Sequence, residues 1–136
     1  SDRLALVYSS FDAYLTTTQG EGWGLPALEA MACGVPCIVP DWSALGDWPV
    51  DAALKVPCTS TALSAPLNSL ASTIGGIPDR AGTVWALDTL YRDEKLRGVY
   101  GERGFELAQR LTWKQTGERF RAVLESLLWE RVREVA

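Results

Sequence analysis

The sequence predicts an α/β domain built on a parallel sheet flanked by helices, and three stretches predict it. Ala13 to Thr18 is aromatic and β-branched enough for a strand, and a glycine-rich loop from Gln19 to Gly24 follows. Leu25 to Cys33 reads as a helix, with Pro26 in its first turn and Gly34 as its stop. Val35 to Val39 is a short apolar run between Gly34 and Pro40, the pattern of an interior parallel strand. Strand, glycine loop, helix and strand make a βαβ unit. Its loop falls at the carboxyl end of the first strand.

The remaining elements follow in order. Asp2 to Ser9 reads as a short helix with Leu4, Leu6, Val7 and Tyr8 available for packing. Leu28, Met31 and Ala32 mark the buried face of the Leu25 helix. Ser43 to Asp47 reads as a helical turn and Ala53 to Val56 as another strand. Residues 57–78 hold Pro57, Pro66, Pro78 and the Gly75-Gly76 pair among Ser and Thr, and read as loop with at most short strands. Ala81 to Arg92 predicts a helix with Val84, Leu87 and Leu90 on one face. Asp93 to Gln109 predicts another, with Leu96, Val99, Tyr100, Phe105 and Leu107 apolar and Gly98, Gly101 and Gly104 weakening its middle. Thr112 caps a last helix, Trp113 to about Val135, whose apolar stripe is Phe120, Val123, Leu124, Leu127 and Leu128. The whole chain, 1–136, reads as one domain, with 79–136 a helical tail region.

Composition narrows the function. The net charge of −4 argues against a nucleic-acid partner. No apolar run reaches the roughly 18 residues of a membrane span, and no basic-then-apolar leader opens the sequence. The expected location is the cytoplasm, with attachment to a membrane periphery left open for a parent enzyme. The three cysteines, Cys33, Cys37 and Cys58, read as buried free thiols. With no histidine in the chain, a zinc site lacks ligands and a Ser-His-Asp or Cys-His mechanism cannot be built. Any general acid or base must be a carboxylate, Lys, Tyr or Cys. Trp85, Trp113 and Trp129 read as packing residues, as do Trp42 and Trp48, which alternatively rim the pocket. The Arg119, Arg121, Arg131 and Arg133 series, interleaved with glutamates, reads as a salt-bridged solvent face.

The chemistry concentrates between Glu21 and Glu29. Gly22 and Gly24 let the backbone approach a ligand closely. The loop enters a helix whose first N–H groups lack intrahelical partners and, with the helix dipole, favour a phosphate or diphosphate. Pro26 supplies no N–H, so the donors are those of Trp23 to Leu25 and of Ala27. Glu29 lies about 6 Å along the helix axis from Leu25 and can accept from a vicinal diol such as the ribose O2′ and O3′. Glu21 can serve sugar hydroxyls on the other side of the phosphates. Such a site matches the ligand crevice of open α/β sheets.

These residues carry a resemblance. Thr18 to Val39, read as TQGEGWGLPALEAMACGVPCIV, resembles the signature of family 4 glycosyltransferases, usually written E-G-aromatic-G-L-P-x-x-E-A-M-A-x-G-x-P. Each of its elements is present from Glu21 through Pro36. The junction from Tyr91 to Arg97 and the Thr112-Trp113 pair also resemble that family's C-terminus. The resemblance implies the donor-binding part of an enzyme with two facing Rossmann-like domains. It implies transfer of a sugar from a nucleoside-diphosphate sugar with retained configuration and no further cofactor, and with no Asp-x-Asp motif in the sequence no metal is expected. Glu21 would hold the donor sugar near its C3 hydroxyl as the catalytic residue. The backbone amides of Gly22, Trp23, Gly24 and Leu25 would contact sugar and diphosphate, and Glu29 the ribose.

Departures shape the expectation. The family's Arg/Lys pair for the diphosphate lies upstream, and only Arg3 precedes Glu21 here. The family's Gly-Gly-x-x-Glu stretch is replaced by Asp41 to Asp47, with Asp47 a loose stand-in. The base-binding segment, first strands and acceptor domain are not in this sequence. The chain is therefore expected to be part of a longer enzyme, with the acceptor-binding N-terminal domain as its partner, and inactive alone. The alternative is a non-catalytic donor-binding or self-associating fragment, a homodimer in the second case. A phosphorylase-like or sucrose-synthase-like relative, with a different donor or direction, ranks lower: phosphorylases bind pyridoxal phosphate through a lysine, and Lys55, Lys95 and Lys114 all lie away from the motif.

Overall fold

The structure, a computed structural model, describes residues 2–64 and 73–135. The order is α1 (Asp2–Tyr8), β1 (Tyr14–Leu15), α2 (Leu25–Ala32), β2 (Cys37–Asp41), α3 (Ser43–Asp47), β3 (Ala53–Ser64), β4 (Thr73–Pro78), α4 (Arg80–Arg92), α5 (Glu94–Gln109) and α6 (Trp113–Val135). The fold is the expected α/β class: a four-stranded sheet in the order β1-β2-β3-β4, flanked by helices. The first three strands are parallel, with Tyr14 opposite Cys37 and Ile38 opposite Leu54. The last pair is antiparallel.

The βαβ unit forms as its residues dictate. Gly34 takes a left-handed φ of 75° after α2, and the Gly34 and Val35 N–H groups donate to Met31 and Ala30, which ends the helix. Pro40 sits inside β2 without harm. Tyr14 and Thr16 donate to the carbonyls of Pro36 and Ile38, so even-numbered residues of β2 face β1. At Pro40 β1 has ended, and the missing N–H breaks no ladder bond.

Two apolar layers sandwich the sheet. On one face Ala27, Ala30 and Met31 of α2 pack with Tyr8, Cys37, Val39 and Ala108. On the other, Ala86 and Leu90 of α4 cover Ile38, Leu54 and Val56. No helix of the described residues is long and apolar enough to cross a membrane.

Several expectations are corrected. β3 runs to Ser64 and pairs with β4, so residues 57–64 and 73–78 are a hairpin and not loop; residues 65–72 lie outside the described residues. The Gly75-Gly76 pair is no turn. A Cβ on Gly76 would meet the Trp42 ring at 2.5 Å, and one on Gly75 would meet Gln19 at 2.8 Å. Close approach, not chain reversal, requires glycine there. In α2 the buried set is Ala27, Ala30 and Met31, while Ala32 is exposed. In α4 and α5 the expected Leu90 is buried, and Leu96 and Tyr100 pack half-buried against the same layer, but Val84, Leu87, Val99 and Phe105 are exposed and Ala86, Gly101, Gly104 and Ala108 are buried in their place. Gly101 lies against the Gly34 carbonyl and Gly104 against Met31, so these glycines seat α5 on α2 and do not merely weaken it.

Leu4, Leu6 and Val7 of α1 stand exposed, and of the apolar set on that helix only Tyr8 enters the core. Trp85 and Trp113 are exposed and not packing residues, while Trp129 lies where side chains are not described. Of the expected α6 stripe Phe120, Val123, Leu124 and Leu127 face solvent, and Leu128 lies where side chains are not described. Among the described residues the ion pairs are Lys55–Asp41 and Arg92–Asp88, so Arg119 and Arg121 form none there, and Arg131 and Arg133 lie where side chains are not described. Cys37 is buried, Cys33 and Cys58 are half-buried, and all three are free. Thr112 caps α6 as expected, its Oγ1 accepting from the Gln115 N–H at 3.3 Å.

Candidate functional site

The segment from Glu21 to Glu29 lies where β1 hands over to α2, at the carboxyl end of the parallel strands. Gly24 is the N-cap of α2, at φ 85° and ψ 48°. Only glycine enters that left-handed region without strain, and a Cβ there would also strike Leu45 Cδ2 at 2.5 Å. Gly24 therefore turns the chain into the helix and lets α3 close against it.

The helix tip is open. Gly22, Trp23, Leu25 and Pro26 are exposed. The N–H groups of Gly22, Trp23, Gly24 and Leu25 have no partner among the described residues. Ala27 differs from expectation: its N–H donates to the Gly24 carbonyl at 3.0 Å, and Leu28 donates to the same oxygen at 3.3 Å. The free donors are thus four consecutive amides ending at Leu25. With the positive end of the α2 dipole they suit an anion.

Three residues of the segment 43–48 support the loop from outside. Ser43 Oγ accepts from the Glu21 N–H at 3.0 Å. Leu45, fully buried, fills the space opposite Gly24. The Trp48 indole N–H donates to the Trp23 carbonyl at 2.6 Å, and the two indoles stack with centroids 5.7 Å apart and planes 8° off parallel. The hairpin adds a fourth support, since Gly76 N–H donates to the Gln19 carbonyl at 2.8 Å. Below, Lys55 Nζ donates to the Gly46 carbonyl and pairs with Asp41 at 3.9 Å, tying α3 to the sheet.

In chain order the two carboxylates stand one before and one after this tip. Glu21 is half-buried on the loop, and Glu29 is exposed on α2. Glu29 Oε2 accepts a hydrogen bond from the Tyr8 hydroxyl at 3.0 Å. Burial first, then the bond to Glu29 and the nearby carboxylate charge, push the Tyr8 hydroxyl up to about 12, so it stays a donor at neutral pH. Beside the tip runs a mostly apolar groove of about 440 Å³, lined by Trp23, Leu25, Leu28, Leu111, Trp113 and Arg119. Among the described residues no cluster of side chains suits a metal ion.

Every residue expected at the site, Glu21, Gly22, Trp23, Gly24, Leu25 and Glu29, lies on this one loop and helix start. Sequence reasoning missed Tyr8 and Ser43 and took Trp48 for packing. Ser43 left one trace, since it stands in the stretch that departs from the family's glycine pair, and its φ of 51° is one glycine adopts easily.

The model of the family glycosyl transferases group 1 matches residues 1–70. A search of curated proteins gave no match. Among solved structures, the chain is similar to sucrose-phosphate synthase from Thermosynechococcus elongatus, with a TM-score of 0.65 and 26% sequence identity over 92% of this chain. The chain spans 28% of that synthase. With the motif intact, the tip open and over half of its length matched by the family model, the chain belongs to the glycosyl transferases group 1 family.

Proposed function

We propose that this chain supplies the donor-binding part of a hexosyltransferase-type glycosyltransferase that moves a sugar from a nucleoside diphosphate to an acceptor with retention of configuration. The observation that carries the reading is the run of four unpartnered amides at the start of α2, between two carboxylates. A diphosphate suits the amides and the dipole. Glu29 suits the ribose diol and Glu21 a hydroxyl of the donor sugar. In the transfer, the bond from the anomeric carbon to the phosphate oxygen breaks and its electron pair leaves on the diphosphate. The acceptor oxygen bonds to the same face of that carbon and passes its proton to the departing diphosphate oxygen. Amides aimed at the departing diphosphate stabilise the charge that grows there. Glu21 and Glu29 fix the donor's orientation. The acceptor and its binding domain lie with the rest of a longer polypeptide, in the cytoplasm or at a membrane surface. The decisive experiment compares donor binding and turnover by full-length wild type and Glu29→Ala. A loss of at least about tenfold in the variant supports the reading, in line with one lost charge-assisted contact. Unchanged donor affinity and turnover overturns it.

A second reading, self-association without catalysis, has one observation in its favour. Trp113 is 87% exposed, and Phe120, Val123, Leu124 and Leu127 of α6 stand in solvent beyond it. An apolar stripe of this kind marks an association face. Sedimentation of this chain as a monomer at high concentration removes that reading.

A further inference from the structure

We propose that Tyr8 is a positioning residue for Glu29, holding one carboxylate oxygen so that the other is presented to a hydroxyl pair of the bound nucleotide. The proposal rests on the donor-site reading of Glu29 given above. A glutamate on a helix surface samples many rotamers, and ordering it on binding costs affinity. Here the side chain is ordered beforehand. Tyr8 Oη donates to Oε2 at 3.0 Å, across 21 residues of sequence. Oε1 has no partner among the described residues.

The phenol itself is fixed. Tyr8 is 8% exposed, and its ring meets Phe11 edge-on at 5.9 Å and Tyr14 at 6.2 Å. α1 is in turn anchored on α2, where the Cys33 thiol reaches the Ala5 carbonyl at 3.8 Å. A buried ring thus carries a hydroxyl to an exposed carboxylate. If the bond only stapled α1 to α2, it would make no difference which ligand is bound. If it orients Glu29, it matters only to ligands that Glu29 touches.

That difference is the test. Full-length wild type, Tyr8→Phe, Glu29→Gln and the double variant are titrated calorimetrically with UDP, GDP and ADP, and with the 2′,3′-dideoxy form of whichever binds. Tyr8→Phe keeps the ring and its packing. The expected result is about five- to tenfold weaker binding of the ribonucleotide in Tyr8→Phe, less than for a lost direct bond to a charged group because Tyr8 acts through Glu29. The dideoxynucleotide should bind equally to wild type and Tyr8→Phe, and the double variant should bind no more weakly than Glu29→Gln. Equal losses for both nucleotides, or no loss for either, overturn the role of Tyr8. If Glu29→Gln still distinguishes ribose from dideoxyribose as wild type does, or if none of the three nucleotides binds wild type, the donor-site reading falls and this inference with it.

Discussion

Trp48 holds the carbonyl of Trp23 while its ring covers the Trp23 ring, so one side chain grips both the backbone and the side chain of the motif loop. The grip matters because the amides proposed to take the diphosphate lie on either side of that carbonyl. Replacing the indole by a phenyl ring, in Trp48→Phe, loses the N–H and about 1 kcal/mol of hydrogen bonding but keeps a smaller aromatic contact. Removing the ring, in Trp48→Ala, loses a further ~0.5–1.5 kcal/mol of stacking. Nucleoside-diphosphate affinity should fall about fivefold in the first and about tenfold or more in the second, measured by calorimetric titration. The exciton couplet of the paired indoles should vanish from the circular dichroism spectrum in both. Wild-type affinity in Trp48→Ala would show that the clamp has no part in binding.

Ser43 presents a trade between strain and support. Its φ of 51° costs a non-glycine residue about 1–2 kcal/mol, while its Oγ satisfies the Glu21 N–H. Ser43→Gly relieves the first and gives up the second, so its stability should lie near that of wild type. Ser43→Ala gives up the bond and keeps the strain, and should be about 1 kcal/mol less stable by urea unfolding. Equal stabilities for the alanine and glycine variants would mean that the backbone here carries no strain.

The motif and the βαβ unit around it were legible because their signals are local. Pro26 and Gly34 bracket α2, and Gly22 and Gly24 announce the loop within a few residues of the acids they serve. The hairpin was not legible. Its strands are rich in Ser, Thr and Gly, and Gly75 and Gly76 answer to Gln19 and Trp42, side chains far away in sequence. The faces of α4 and α5 were legible at Leu90, Leu96 and Tyr100, and the rest was not, for a related reason. A search for large apolar residues ranks Val99 and Phe105 above Gly101 and Gly104, yet backbones that touch need small residues. The site divides the same way. Its backbone donors could be read from one segment, but Tyr8, Ser43 and Trp48 act across 21 to 25 residues, and no spacing rule reaches that far.

Two glycines of α5 should respond in opposite directions to the same substitution. Gly98 is exposed with nothing within 4 Å of an added Cβ, so Gly98→Ala gains helix propensity and should stabilise by about 0.5–1 kcal/mol. Gly101 is buried, and a Cβ there collides with the Gly34 carbonyl, which the Schellman turn after α2 cannot move. Gly101→Ala should cost more than about 2 kcal/mol, or separate α5 from α2. Denaturant midpoints of the two variants check this directly. A tolerated Gly101→Ala would mean that α5 and α2 pack less closely than described.

Alkaline pH should expose the buried thiol of the sheet. Burial pushes Cys37 up to about 12 from an ordinary value of 9.0. Above pH 9 the unfolded chain therefore releases a proton that the folded chain retains. The folded state binds more protons, so stability falls as pH rises. One such group contributes at most about 1.4 kcal/mol per pH unit. Tyr8, raised from 10.0 to about 12, joins above pH 10, and Cys58 and Tyr14 shift in the same direction, each chiefly through burial. Stability should thus be lost progressively between about pH 9 and pH 12. Cys37→Ala should lower stability at pH 8 by removing packing, yet flatten the decline between pH 9 and pH 10, where the tyrosines do not yet contribute. Urea unfolding across that range is the measurement. An unchanged slope in Cys37→Ala would show that its thiol ionises as readily in the folded chain as in the unfolded one.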